Sequence, residues 1–233
     1  MSFQHADEIW RDFPKLVPGV IVADGIAPDV AVGEQIEKYS RLASGRLANA
    51  TESELPEIRA WRQTFSRMGL KPTQYRCASE SLLRRFRKEG SLPRIHPLID
   101  LCNAVSLAYA IPIAVFDRSR INGSLKVRRA TGDELYETFA GELEHPEQGE
   151  VIFADNDGRA HARRWTNRQS GASAIRDSTS EILIVAEAMH PTAAEDIPRL
   201  IADLANDLRT LWPTTPTTAI LTQASPRFDL PAM

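Results

Sequence analysis

Residues 92–117 constrain the fold of this chain more than any other segment. Pro97 fits the first position of a helix, because its ring fixes φ and its missing N–H has no helical partner to lose. His96 is then the residue just before the helix, and Pro112 prevents a regular helix from continuing. Apolar residues recur at helical spacing: Leu98, Leu101, Val105 and Ala108. The segment therefore predicts a helix over residues 97–110 with one apolar face.

The same helix carries a polar row at intervals of three residues, formed by Asp100, Asn103 and Ser106. A helix that is otherwise apolar is buried on most sides, and buried polar groups need partners. Two interpretations follow. The three side chains bond to neighbouring loops, or they hold a ligand or a water molecule in a pocket.

Bulk composition is that of an ordinary globular protein. The chain has 233 residues, of which 42% are hydrophobic and 25% are charged, and this length is enough for a sizeable core. It has no apolar run of bilayer length and no charged-then-apolar leader. We therefore expect a cytoplasmic protein with no membrane partner.

Cysteine and histidine usage gives no indication of a metal or cofactor. Two cysteines, Cys77 and Cys102, cannot form a disulfide framework. The five histidines are scattered without His-x-His or His-x-x-x-His pairs. We expect no metal site and no cofactor, and Cys102 is interpreted as a small core residue.

Positive charge is uneven although the net charge is −3. One basic cluster precedes the central helix and comprises Arg84, Arg85, Arg87, Lys88 and Arg94. A second contains Arg159, Arg163, Arg164 and Arg168. Each is either a solvated face, as is usual for Lys and Arg, or part of a surface that binds phosphate groups.

Helical and strand patterns alternate without a strict βαβα order. Strands are predicted over residues 17–26, 111–116, 125–129, 150–154, 159–165, 181–188 and 217–221, with an Asp-Asn-Asp-Gly turn at 155–158. Helices are predicted over 28–47, 54–68, 79–88 and 193–211, whereas 133–149 and the C-terminal tail are irregular. The pattern indicates one α+β (α/β mixed) domain with a mixed β-sheet flanked by helices. We expect an N-terminal part at 1–69, a core at 70–190 and a C-terminal helix and tail at 191–233.

The ordered set of motifs resembles the B3/B4 editing module of the phenylalanyl-tRNA synthetase β subunit, and small freestanding proteins that carry this module alone. The segments that carry the resemblance are Phe65–Gly69, Ser79–Arg85, Pro93–Asp117, Gly149–Asp155 and Arg163–Ser170. That module removes a wrong amino acid from the tRNA end. The resemblance implies a trans-acting deacylase whose partner is the aminoacylated acceptor end of tRNA, with no DNA partner and with the oligomeric state left open.

The resemblance also implies roles for individual residues. The family's pocket asparagine falls on Asn103, which would hold the aminoacyl group, with Ser106 helping to orient water. The family's pocket histidine falls on Ala114, so this element is missing and tyrosine is in doubt as substrate. His96 and Asp100 are substitute polar groups near the substrate, although His96 also fits a helix cap.

The loop at residues 164–170 supplies further donors for the ester oxygen or the terminal ribose. These are Arg164, Asn167, Gln169 and Ser170, and a solvated turn is the alternative for the loop. Arg84, Arg85, Arg87, Lys88, Arg94, Arg163 and Arg168 would contact RNA phosphates. An activated ester needs only a positioned water and oxyanion stabilisation. Two alternatives remain open: a non-catalytic RNA-binding module, and a binder of free amino acids or another small ligand.

Overall fold

The computed structural model describes residues 1–230, which form six α-helices and twelve β-strands. The helices are α1 (Asp7–Asp12), α2 (Gly33–Leu47), α3 (Pro56–Arg67), α4 (Ala78–Glu89), α5 (Pro97–Tyr109) and α6 (Ala193–Leu211). The strands are β1 (Ser2–His5), β2 (Val17–Ala23), β3 (Ile113–Asp117), β4 (Ser124–Arg129), β5 (Tyr136–Glu137), β6 (Leu143–Glu144), β7 (Val151–Ala154), β8 (Ala160–Arg163), β9 (Arg168–Gln169), β10 (Ile182–Ala188), β11 (Thr217–Ile220) and β12 (Arg227–Asp229). The α+β class predicted from the sequence is confirmed.

The central helix α5 begins and ends as its sequence predicts. Pro97 is its first residue, and His96 caps it by accepting a hydrogen bond from the Leu98 backbone N–H at 3.2 Å. Ala110 ends the helix in a left-handed conformation with φ of 57°, and Pro112 follows. The predicted apolar face is buried, which places the helix in the core.

A four-stranded antiparallel sheet in the order β11-β2-β10-β3 stands at the centre of the domain. Alternate residues of β10 point to opposite sides. Leu183 and Val185 join one hydrophobic cluster, whereas Ile182 and Ile184 join another with residues of α5 and α6. Both faces of this sheet are therefore covered, which explains why residues 182–186 form an unbroken apolar run.

The second sheet has six strands in the order β12-β1-β4-β7-β8-β9. β1 and β4 pair in parallel, and every other neighbouring pair is antiparallel. The predicted hairpin is confirmed, because β7 and β8 flank the turn at residues 155–158. Aromatic side chains fill the space between the two sheets; Phe116 of β3 lies 5.5 Å from Phe153 of β7 between ring centroids.

Three parts of the chain differ from the sequence-based prediction. The tail is not wholly irregular, because β12 pairs with β1. The segment at residues 133–149 contains the two-stranded sheet β5-β6. β1 and α1 lack a strong local signal, because each is no longer than six residues. Pairing with distant segments, rather than local pattern, gives these short elements their structure.

Candidate functional site

A small cavity of about 50 Å³ opens where β3, β10 and the β8–β9 turn meet. Its lining includes Ala114 from β3, Glu187 from β10, Asn167 from the turn and Gln169 from β9. Ala114 lies opposite Val185 in the strand register. Because Glu187 is two residues beyond Val185, its side chain is on the same face of the sheet as that of Ala114. The fold thus places a carboxylate beside the small side chain of Ala114.

Glu187 is 2% exposed and is held by donors from three parts of the chain. His5 Nε2 lies 2.7 Å from Glu187 Oε1, and Trp165 Nε1 lies 3.0 Å from both carboxylate oxygens. The backbone carbonyl of Glu187 accepts a hydrogen bond from Trp61 Nε1 at 3.2 Å. A carboxylate only accepts hydrogen bonds, so Nε2 is the protonated nitrogen of His5 in this pair. Fixed donors therefore orient the buried carboxylate at the cavity wall.

A left-handed turn brings Trp165 into this position. Arg164 and Trp165 both have positive φ, 48° and 56°, which is uncommon for residues other than glycine. Tight packing accompanies the turn: the Trp165 ring is 1% exposed and meets Phe13 edge to face at 4.9 Å and Trp61 at 5.2 Å between ring centroids. Two consecutive left-handed residues are strained, and the packed indole compensates for that strain.

The two amide side chains of the cavity are pinned by backbone carbonyls. Asn167 Nδ2 donates to the carbonyl of Arg76 at 2.7 Å, and Gln169 Nε2 donates to the carbonyl of Val115. The Thr166 carbonyl accepts from the Ala78 N–H at 2.8 Å, which ties the turn to the start of α4. The segment is therefore a rigid wall of the cavity rather than a solvated loop.

The remaining predicted residues of this loop lie outside the cavity. Ser170 is fully buried and donates its hydroxyl to the Glu137 carbonyl at 2.8 Å. The Arg164 guanidinium stacks 4.8 Å above the Tyr75 ring. The structure thus brings Ala114, Asn167 and Gln169 together and leaves Arg164 and Ser170 apart from them.

The polar row of α5 lies away from the cavity. Ser106 is buried and donates to the Ile111 carbonyl at 2.6 Å. Asp100 accepts a hydrogen bond from the Ile95 N–H at 2.9 Å, and these two bonds match the structural interpretation of the row. Asn103 lines a separate groove of about 80 Å³ with Asp100 and Ser40. The ligand roles of Asn103, Ser106 and Asp100 stay predictions.

His96 is a buried helix cap with one unsatisfied atom. Its Nδ1 accepts the Leu98 N–H, whereas Nε2 has no partner among residues 1–230. Burial lowers the pKa of His96 below its ordinary 6.5. The neutral ring is the form that accepts at Nδ1, so the capping bond and the lowered pKa agree. Its predicted contact with substrate stays a prediction.

The basic cluster on α4 is mostly occupied by carboxylates. Arg84 and Arg87 both contact Glu52, each at 2.9 Å, and Arg85 pairs with Glu89 at 2.9 Å. Arg94 lies 3.9 Å from Asp100, and Lys88 is exposed. Nearby carboxylates thus offset much of the positive charge of this face.

Two residues of the second basic cluster, Arg163 and Arg168, are paired with carboxylates. Arg163 is 4% exposed and contacts Glu144 at 2.6 Å and Glu150 at 2.9 Å. Arg168 lies at the cavity rim and contacts Glu144 at 3.2 Å. Phosphate contact by Arg163 would require two carboxylates to release it, so its geometry favours a structural ion pair. Arg168 remains exposed at the rim, where Glu144 offsets part of its charge.

The cysteines and one acidic cluster can be explained without special chemistry. Burial raises the pKa of Cys77 to about 11 and also raises that of Cys102. Ligand atoms of Glu57, His190 and Asp196 lie within 4.8 Å of one another. Both carboxylates are already paired: Arg46 contacts Glu57 at 2.8 Å, and Arg199 contacts Asp196. These cations account for the cluster without a metal ion.

Local sequence patterns did not predict the buried carboxylate of the cavity or the two side chains that donate to it. Glu187 carries the one available signal, a carboxylate in an otherwise apolar strand. Trp165 follows a basic strand with no signal of its own, and His5 is remote in the sequence. No helix in residues 1–230 is long and apolar enough to span a membrane.

Comparison with known proteins identifies the family of this fold. The B3/4 domain profile matches residues 60–207, which include β3, β10 and the β8–β9 turn that form the cavity. The chain belongs to the B3/4 domain family. His5, which supports the cavity carboxylate of this B3/4 domain, lies outside the matched segment.

Two similar B3/4 relatives are phenylalanine–tRNA ligase β subunits. The one from Legionella pneumophila (strain Lens) is 26% identical over 119 residues, covering 51% of this chain and 14% of the relative. The one from Pseudoalteromonas translucida is 31% identical over 113 residues, covering 48% of this chain and 14% of the relative. The chain thus matches only about a seventh of the length of these relatives.

A solved structure is also similar. It is an N-terminal fragment of the phenylalanyl-tRNA synthetase β subunit from Pyrococcus horikoshii, with a TM-score of 0.45 and 8% identity. The match covers 94% of this chain and 53% of that fragment.

Proposed function

We propose that this B3/4 domain protein is a trans-acting aminoacyl-tRNA deacylase that hydrolyses the ester of mischarged tRNA. The observation that carries the proposal is the buried carboxylate of Glu187 at the wall of a small cavity. Membership of the B3/4 family and the names of its tRNA-ligase relatives support tRNA as the substrate class.

The cavity supplies two groups that ester hydrolysis requires. The Glu187 carboxylate can accept a proton from an attacking water, and His5 and Trp165 hold it in one orientation. Arg168 is the single cation among the described lining residues, and its guanidinium at the rim can stabilise the oxyanion. Because the aminoacyl ester is already activated, a covalent nucleophile is not needed.

Cavity size supports a small reacting group rather than an aromatic side chain. A volume of about 50 Å³ holds a few water molecules or a small group, since one buried water needs roughly 10–15 Å³ of such volume. Gln169 and Asn167 close the cavity and are fixed by Val115 and Arg76. We therefore propose a small amino acid side chain, rather than tyrosine, in the mischarged substrate.

A deacylation screen tests the proposal. The protein is mixed with a panel of correctly and incorrectly charged tRNAs, and loss of the ester is followed against buffer. We expect turnover of a mischarged pair that carries a small amino acid, with the matched pair spared. Ester loss no faster than in buffer across the whole panel would refute the deacylase.

Two variants locate the reaction. Glu187→Gln should abolish turnover if the cavity is the site, whereas Asn103→Ala should abolish it if the α5 groove holds the aminoacyl group. Arg41→Gln is the control, because Arg41 is exposed on α2 and pairs only with Glu37. Loss of turnover in Asn103→Ala alone would move the reaction to the α5 groove.

The second candidate is an RNA-binding module without turnover. One observation favours it: His5 and Trp165 already occupy both oxygens of Glu187, which lowers the capacity of the carboxylate to accept a proton. Binding of uncharged tRNA, together with ester loss no faster than in buffer in the deacylation screen, would support this candidate over the deacylase.

A further inference from the structure

A second concavity, rich in basic residues, is separate from the cavity at Glu187. It is a groove of about 420 Å³ between one face of α3, the β10–α6 connection and the turn after α1. We call it the α3 groove. Its lining contains three cationic residues, Lys15, Arg59 and Arg67, and no carboxylate among the described residues.

The cations of the α3 groove are exposed and unpaired. Arg59, Gln63 and Arg67 recur every four residues along α3, so they form one stripe on the helix. Within residues 1–230, neither arginine lies within 4.0 Å of a carboxylate, and the same is true of Lys15. By contrast, Arg62 on another side of α3 contacts Glu80 at 3.0 Å. The stripe thus keeps its positive charge available.

The wall of the α3 groove has an unsatisfied polar atom. His190 lines the groove, is 3% exposed, and has no partner for Nδ1 in the described part of the chain. Its Nε2 lies 2.8 Å from Asp196. Buried polar atoms are normally satisfied. Because the Asp196 carboxylate accepts from Nε2, Nδ1 of the neutral ring carries a lone pair and needs a donor, and a ribose 2′-OH can supply one whereas a phosphate oxygen cannot.

Two buried or half-buried acidic groups near the α3 groove are paired with cations outside it: Glu57 with Arg46 and Asp196 with Arg199. Glu54 accepts a hydrogen bond from the Thr51 N–H at 2.7 Å, and the nearby charge of Arg59 also lowers its pKa. The described lining itself contains three cations and no carboxylate, so the groove attracts anions.

We propose that the α3 groove binds backbone phosphates of RNA. Arg59 and Arg67 are eight residues apart, which is about 12 Å along a helix, so the stripe fits a ligand with several phosphates better than a single phosphate ion. The basic cluster on α4 is largely paired. Near β8, Arg163 and Arg168 contact carboxylates and Arg164 stacks on Tyr75. This leaves only Arg159 of that cluster without such a contact in residues 1–230, so both clusters are weaker candidates. The proposal rests on the proposed function only in taking tRNA as the RNA.

Binding of uncharged tRNA tests the proposal without depending on hydrolysis. Fluorescence anisotropy with labelled tRNA is measured for the wild type and for the double variant Arg59→Gln/Arg67→Gln across about 50 to 200 mM salt. Glutamine keeps a high helix propensity. The matched control is Arg41→Gln/Arg227→Gln, which removes the same charge from exposed residues that pair with Glu37 and Asp229.

The expected loss follows from counterion release. Each lost phosphate contact weakens binding roughly five- to eightfold at about 0.1 M salt and lowers the salt slope by about 0.7 to 0.9. The groove variant should therefore bind about 25- to 60-fold more weakly, and the control should bind as the wild type does. Thermal unfolding of each variant checks that the fold is retained.

The outcomes separate this proposal from the deacylase. If the groove variant and the control bind tRNA equally well, or the wild type binds no tRNA, the α3 groove is not an RNA site. If inorganic phosphate at constant ionic strength displaces tRNA from the wild type, the groove is a site for free phosphate instead. Groove-dependent tRNA binding without ester hydrolysis would support the groove and refute the deacylase.

Discussion

Replacement of Glu187 by glutamine is the sharpest perturbation of the cavity. The substitution removes the charge and keeps the shape. In one orientation the amide oxygen accepts from Trp165 Nε1, now 3.0 Å from each carboxylate oxygen, and the amide N–H₂ faces His5. His5 can then accept at Nε2 with its proton on Nδ1, although Nδ1 is buried and has no partner in residues 1–230, which adds to the loss of stability. Glu187→Gln should fold with that added cost.

The structure allows an estimate of two effects of Glu187→Gln, the loss of stability and the loss of deacylation rate. Hydrogen bonds to charged groups contribute about 1.5–3 kcal/mol and neutral ones about 0.5–1.5 kcal/mol. With two donors on Glu187, His5 and Trp165, and an unpaired N–H on the altered His5 ring, we expect a loss of stability of at least about 2 kcal/mol. A general base contributes about 10²–10⁴ in rate, so deacylation should fall at least about a hundredfold. Glu187→Ala is less informative, because it leaves two buried donors unpaired.

Single-turnover deacylation and urea unfolding measure the two effects separately. Trp165→Phe serves as the second variant, because it keeps a packed ring and removes only the donor to Glu187. If Trp165 positions the carboxylate, Trp165→Phe should lower the deacylation rate less than Glu187→Gln does. It should also shift the pH dependence of the deacylation rate relative to the wild type. A folded Glu187→Gln that hydrolyses the ester at the wild-type rate would refute the reasoning and leave Glu187 a structural residue.

Three further predictions test the cavity and the fold. Ala114→Leu should fill the cavity of about 50 Å³ and abolish turnover with little change in tRNA affinity; unchanged turnover would place the reaction elsewhere. Burial favours a raised pKa of Glu134, but hydrogen bonds from neighbouring groups outweigh it and hold the pKa at about 2, below the ordinary 4.5. This carboxyl stabilises the fold above about pH 4.5 by on the order of 3 kcal/mol, and the contribution disappears as the pH falls towards 2. Glu134→Gln should flatten that dependence in urea unfolding. Gly19→Ala would place its Cβ 2.5 Å from Ile201 and should lower the free energy of unfolding by about 1–3 kcal/mol. Gly45→Ala, with open space around it on α2, should raise the free energy of unfolding by up to about 1 kcal/mol. Equal unfolding midpoints for the two variants would contradict the packing of α6 on β2.

Local sequence signals predicted most of the regular elements. Pro97 and Pro112 bracket α5, and the turn at residues 155–158 joins β7 to β8. β1 and β12 could not be predicted in this way, because they are short and are stabilised by pairing with distant strands. Phe3, for example, pairs with Leu125 and Phe228, and no local pattern contains that information.

The candidate site was predictable only in part for the same reason. Asn167 and Gln169 belong to a segment that the sequence singles out, and they do meet Ala114. Glu187 is supported by His5, 182 residues away in the sequence, so its environment appears only in three dimensions. The i,i+4 spacing of Arg85 and Glu89 is enough to predict their ion pair, whereas the pairing of Arg84 with Glu52 depends on the packing of separate elements.

The His5–Glu187 contact has a consequence for the order of events during synthesis. β1 is synthesised before β4 and β10, so it cannot pair with β4 until that strand has been made, and His5 cannot meet Glu187 until β10 follows. Contacts this distant in sequence close late and slow folding. A nascent chain that stops between β4 and β10 can pair β1 with β4, but His5 then lacks its carboxylate partner. The proposed hydrolytic centre therefore cannot form before β10 has been made.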